Sequence, residues 1–158
     1  MKASDKDRSG QDDIGFESIP THLIKAHKNV DKLMPYLHLP IQSGSDNILK
    51  KMNRKHTAIE YLKIIELVRK YCEDIAISSD FIVGHPGETN EDHKKTLDII
   101  NEVQFASSYS FMYSERPGTK SSEFGEIVER SIKKIRLYQI QNKLNYYQLT
   151  FNKNMEGL

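Results

Sequence analysis

Apolar positions along this chain follow two rhythms, and the switches between them mark out its elements. Short β-branched runs with polar residues set into them read as buried strands, and apolar residues three and four apart read as amphipathic helices. Residues 1–13 carry almost nothing to bury and mix both charge signs, so they are expected to form an unstructured arm. A short helix is expected from Pro20 to Lys28, with Pro20 in its first turn and Leu23, Ile24 and His27 on one side. Tyr36 to Ile41 reads as a strand running into Gln42-Ser43-Gly44-Ser45, where Ser45 caps a helix carrying Ile48, Leu49 and Met52. His38, inside that strand, reads as a packed or hydrogen-bonded core histidine.

Thr57 to Glu60 has the spacing of a capping box and opens a helix to about Tyr71, with Ile59, Leu62, Ile65 or Ile64, and Val68 as its buried stripe. The stretch Ile75 to Thr89 is the centre of the pattern: a β-branched run, then a Gly/Pro turn, then Thr89 as cap of a helix from Glu91 to Val103 bearing Leu97, Ile100 and Val103. A third strand is expected at Ser108 to Tyr113, with a polar loop through Thr119 behind it. After a turn-rich joint at Ser121 to Glu126, a long helix runs from Val128 to Thr150. Its stripe of Leu137, Ile140, Leu144, Tyr147 and Phe151 is too short for sustained heptads and reads as packing on its own domain rather than as a dimer seam.

Strands alternating with helices predict an α/β fold with parallel pairing. Ligands of parallel sheets gather at the carboxyl ends of strands, which places Ser78, Ser79, Asp80, Gly84 and Glu88 where a site would be. Gly84 and Gly87 serve equally well as the permissive points of a tight turn.

Composition narrows this picture. A chain of 158 residues allows one domain with a real core and leaves little room for a second. No apolar run is long enough to cross a membrane and no signal-peptide core follows Met1, so the cytoplasm is the simplest compartment. A net charge of +1 excludes a basic whole-surface attraction to nucleic acid but can hide a local patch. Lys50, Lys51, Arg54 and Lys55 form such a cluster, readable as a solvated face or as phosphate contacts. Cys72 is the single cysteine, so the chain can build neither an internal disulfide nor a thiolate cluster, and at a helix end it reads as a small buried hydrophobe. Neither G-x-G-x-x-G nor a Walker pattern is present, which removes the usual phosphate-loop nucleotide sites.

Three loops taken together carry a resemblance. Tyr36 through Arg54, Ile77 through Thr89 and Tyr109 through Thr119 resemble, in order, the second half of the catalytic barrel of the radical S-adenosylmethionine tRNA methylthiotransferase family, over roughly residues 20–153. The resemblance implies the second half of a partial parallel (β/α) barrel: about three parallel strands with flanking helices and a long C-terminal helix. It divides the chain into an N-terminal arm at 1–16, a half-barrel at 17–126, and a helix at 127–158 leading toward an RNA-binding domain. It also implies an activity, methylthiolation at C2 of a prenylated adenosine beside the tRNA anticodon. One 4Fe–4S cluster of the family cleaves S-adenosylmethionine and a second supplies sulfur. By position, Gln42 and Ser43 fall in a loop lining the S-adenosylmethionine site, and Ser79 and Asp80 on the strand that contacts its ribose and amino-acid parts. Glu88 falls in the Gly-Glu turn, and Arg116 near the cofactor or substrate.

The departures from the family pattern are as informative. The three-cysteine loop that holds the radical-generating cluster belongs ahead of residue 1, as does the domain holding the second cluster, and Cys72 cannot replace them. Asp13 to Glu17 matches the family poorly, and His85 stands where an apolar aromatic residue is usual. Two readings follow: one half of a split enzyme whose partner supplies both clusters, or a non-catalytic remnant that binds S-adenosylmethionine or RNA weakly. Either way, tRNA and a cluster-bearing N-terminal half are the implied partners, and a half-barrel with open strand edges needs a partner or is marginal.

Overall fold

The computed structural model describes residues 35–115 and 125–156. The expected arm, the helix at Pro20 to Lys28, Arg116 and most of the Ser121 to Glu126 joint lie outside them. Three strands, β1 (Tyr36–His38), β2 (Ala76–Val83) and β3 (Ser107–Met112), form one open sheet in the order β1-β2-β3. Both pairings are parallel, with His38 opposite Ser78 and Asp80 opposite Tyr109. The helices are α1 (Asp46–Lys51), α2 (Ala58–Tyr71), α3 (Asn90–Val103) and α4 (Arg130–Glu156). Strand and helix alternate as the pattern predicts, and the long C-terminal helix packs across β3 and α3.

β1 is shorter than the expected strand because Pro40 has no amide to give. Leu39 still donates to the Ser78 carbonyl at 2.9 Å, but the Ile41 amide turns to the Ser79 hydroxyl at 3.0 Å. The ladder resumes at Gln42, which donates to the Asp80 carbonyl and accepts from the Ile82 amide. Gln42 sits at φ +76°, a left-handed conformation held from both sides by these bonds.

The helix caps form where the sequence places them. Ser45 accepts from the Ile48 amide, Thr57 from the Glu60 amide, and Thr89 from the Asp92 amide while Asp92 returns a bond to the Thr89 backbone. The buried face of α2 differs from the expected stripe: Tyr61, Ile65 and Val68 are buried, whereas Ile59 is 63% exposed. Tyr61 lies two positions on from Ile59, about 200° round the helix. Its ring reaches the core, and its hydroxyl donates to the Leu39 carbonyl at 2.7 Å.

The core lies between one sheet face and the helices, around Leu39, Ile77, Phe81, Phe105, Ile100 and Ile140. Phe81 and Phe105 meet edge to face at 5.4 Å. On α4 the stripe packs inward as expected, with Ile140 and Leu144 buried and Leu137 and Tyr147 against the core. Cys72 caps α2 and packs, partly buried, at the amino end of β2. The opposite face of the sheet has no helix of the described residues over it, since Tyr36, His38, Tyr109 and Phe111 stand exposed there.

Candidate functional site

Side chains alternate across a strand, so Tyr36 and His38 of β1, Ser78, Asp80 and Ile82 of β2, and Ser107, Tyr109 and Phe111 of β3 share the open face. Four of them form a chain of hydrogen bonds. Tyr36 Oη lies 2.8 Å from Ser78 Oγ, which lies 2.6 Å from His38 Nδ1, and His38 Nε2 lies 3.3 Å from Asp80 Oδ2. A carboxylate only accepts, so a neutral His38 gives its Nε2–H to Asp80, takes the Ser78 hydroxyl proton at Nδ1, and leaves Ser78 to accept from Tyr36. His38 is therefore not the core histidine expected: its side chain is 38% exposed, because its strand position faces away from the helices. Asp80 spends one carboxylate oxygen on His38, and its other oxygen has no partner among the described residues. This row of donors and acceptors with one spare carboxylate oxygen suits a ligand rich in hydroxyl and amine groups.

The loop between β1 and α1 is anchored on α3. The Gly44 amide donates to Thr96 Oγ1 at 2.9 Å, Ser43 Oγ lies 3.3 Å from the same oxygen, and the Ser45 amide donates to Ser43 Oγ. Ser45 also donates to Asp92 Oδ1 at 2.6 Å. Burial pushes the Asp92 carboxyl up, but the bonds from Ser45 and Thr89 outweigh it and hold the group below the ordinary range. Gly44 has no room for a side chain, since a Cβ there would lie 2.4 Å from the Lys95 carbonyl oxygen.

Glu88 closes the turn after β2. It accepts from the Gly84 amide at 2.9 Å and from Arg136 Nη1 at 2.9 Å, and Arg136 Nη1 also donates to its carbonyl. Burial pushes the Glu88 carboxyl up despite these bonds. Beside it His85 stacks edge to face on Tyr113 at 4.9 Å, and burial holds its imidazole below the ordinary range.

Of the residues singled out in the sequence, Gln42 and Asp80 come together through a backbone bond at the carboxyl end of β1. Ser43 and Ser79 are fully buried with their hydroxyls in the Thr96 and Ile41 bonds, and Glu88 is buried against Arg136. Arg116 lies outside the described residues. Sequence reasoning missed Tyr36, His38 and Ser78 as a connected set, Tyr109 and Phe111 as their neighbours, and Arg136 as the partner of Glu88. The alternations Tyr36-x-His38, Ser78-x-Asp80 and Tyr109-x-Phe111 were the available signal for all but the last. No group of three or more His, Cys, Asp or Glu side chains converges among the described residues. An iron–sulfur cluster needs several thiolates, and the one cysteine lies at the amino end of β2, so the residues present do not fit a cluster. A hydroxyl- and amine-bearing nucleoside does fit the donor set on the open face. None of the described helices is long and apolar enough to cross a membrane.

The sequence profile of the Radical SAM superfamily matches residues 2–100. Over 135 residues, 85% of this chain, the sequence is 56% identical to a tRNA-2-methylthio-N(6)-dimethylallyladenosine synthase of Ehrlichia chaffeensis. Synthases of the same name from Ehrlichia canis and Anaplasma phagocytophilum are 56% and 52% identical over the same length. The chain spans about 30% of the length of these relatives.

Proposed function

The chain belongs to the Radical SAM superfamily, and from that membership we propose that it forms the second half of the catalytic barrel of a tRNA methylthiotransferase acting on a prenylated adenosine. Identity above half over 85% of the chain carries this reading. The open sheet face supports it through His38, at the carboxyl end of β1, and Asp80, midway along β2, which meet there as its polar groups. In this reading S-adenosylmethionine lies against the face, with the Asp80 carboxylate oxygen that has no partner among the described residues receiving a donor and the Gln42 loop forming a wall. Ser43 and Ser79 then act by holding that loop and strand in place, and Glu88 by holding the turn. When bound and reductively cleaved, S-adenosylmethionine supplies the radical that such enzymes use.

The clusters must come from elsewhere, because one cysteine cannot bind them. Methylthiolation of tRNA thus needs a cluster-bearing part besides these 158 residues, which in this reading are inactive by themselves. Coexpression with the cluster-bearing N-terminal part of the Ehrlichia chaffeensis synthase, in a host lacking its own, tests this. A brown complex and methylthiolated tRNA by mass spectrometry are expected. Halves that separate on gel filtration and leave tRNA unmodified would overturn the split-enzyme reading in favour of a remnant that at most binds S-adenosylmethionine or RNA. The single cysteine and the open sheet are the observations on that side. In calorimetry with S-adenosylmethionine, Asp80→Ala is expected to weaken binding about tenfold or more, the scale of a lost hydrogen bond to a charged group. An unchanged isotherm would remove Asp80 from the site.

A further inference from the structure

The open face is graded along its strands. Ser78 pairs with Ser107, Asp80 with Tyr109, and Ile82 with Phe111, so three rows run from polar, through carboxylate and phenol, to apolar. Rows on one face of a strand lie about 6.6 Å apart, twice the rise per residue. Tyr109 is 63% and Phe111 54% exposed, and two large aromatic rings side by side in water are a surface waiting for a flat or apolar occupant. Tyr36 and His38 flank the polar row, with the Tyr36-Ser78-His38-Asp80 hydrogen bonds fixing their orientation.

We propose that Ile82 and Phe111 are the residues that recognise the N6-alkyl branch of the substrate adenosine, while Tyr109 carries its ring; this rests on the methylthiotransferase reading above. A prenylated adenine has the same grading as the face: a flat ring with a polar edge, and a branched apolar group beyond it. Unpaired RNA bases are held by stacking on aromatic side chains, which is what the exposed Tyr109 ring offers. The branch then extends one row further, onto Phe111 and Ile82, where no polar group of the sheet lies opposite it. An unmodified adenosine would leave those two side chains against water, so the pair discriminates by apolar contact.

The test uses the full chain and two synthetic anticodon stem–loop RNAs that differ only in a dimethylallyl group on N6 of the target adenosine, with affinities read by fluorescence anisotropy. The wild type is expected to prefer the alkylated RNA about tenfold, the scale of a small apolar group in a fitted pocket. Phe111→Ala is expected to bring the ratio of the two affinities close to one, and Phe111→Leu to retain most of it. Tyr109→Ala is expected to weaken both RNAs about tenfold, as loss of one stacking contact does, without changing the ratio. Both residues are exposed, so these variants should melt like the wild type by circular dichroism.

A wild-type ratio of one, or a ratio that survives Phe111→Ala, overturns the inference. So does a Phe111→Ala variant that keeps the ratio but no longer copurifies with the cluster-bearing half, which would make this row a docking surface for protein. A wild-type ratio of one together with methylthiolated tRNA in the coexpression experiment leaves the parent reading standing. A tenfold ratio with no methylthiolation does the reverse.

Discussion

Arg136→Met is expected to destabilise the protein by about 3–5 kcal/mol at neutral pH, the cost of leaving one member of a buried ion pair without its partner. The pair is well enclosed: the Arg136 side chain is 7% exposed and that of Glu88 is 2%. Arg136 also donates to the Glu88 carbonyl and to Asn90 Oδ1, so its removal strands three acceptors at once. Domains of this size are stable by only about 5–15 kcal/mol, and the variant is expected to sit near the edge of folding. The sign of the pH effect follows from Glu88. Burial raises its carboxyl above the ordinary value, so its contribution to stability is fully present below the unfolded-state value and is lost as pH rises through the folded-state one. Without Arg136 the folded-state value rises further and the window widens. Urea denaturation should therefore show a smaller penalty for Arg136→Met in mild acid than at neutral pH. The double variant Glu88→Gln, Arg136→Met should recover much of the loss, since no buried charge then lacks a partner. Equal penalties at both pH values would show that the guanidinium acts by packing alone.

Gly44→Ala is expected to cost about 1–3 kcal/mol, the range for forcing extra volume into a packed site. The added methyl would fall 2.4 Å from the Lys95 carbonyl oxygen and 2.7 Å from Thr96 Cα, both backbone atoms of α3 that cannot rotate aside. The loop must lift, and lifting it breaks the Gly44 bond to Thr96 and strains the Ser45 bond to Asp92. Thermal unfolding and the S-adenosylmethionine isotherm should worsen together. A variant that melts normally and binds normally would show that the loop does not depend on this approach.

Much of the fold was legible in the chain because local chemistry and tertiary packing agree. Ser45, Thr57 and Thr89 cap their helices as their spacing to the following residues predicts, and three short apolar runs become three parallel strands. Where the pattern and the structure part, the physical reasons differ. The first four residues of β2 are all buried, so alternation there could not tell whether Ser78 or Ser79 faces the helices. The register against Tyr109 decides it, and assigns Ser79 to the helix side and Asp80 to the open face. The same ambiguity of face applies to His38, which is hydrogen-bonded but lies on the open side rather than in the core. Ile59 is the more hydrophobic side chain, but Tyr61 is the one in phase with Ile65 and Val68 on the buried side of α2. Arg136 was beyond local reasoning, because it reaches Glu88 from 48 residues away and nothing in its own helix marks it as buried.

The segment from Gln42 to Ser45 spends most of its amides and hydroxyls on β2, on α3 and within itself, leaving few bonds to rearrange on binding of the proposed ligand. Such a wall is preorganised: the ordering entropy is lost when the chain folds, and binding does not have to lose it again. Affinity at this face then depends on how well a ligand's shape and polarity match the rows of side chains, and a poor match finds no loop able to adapt to it.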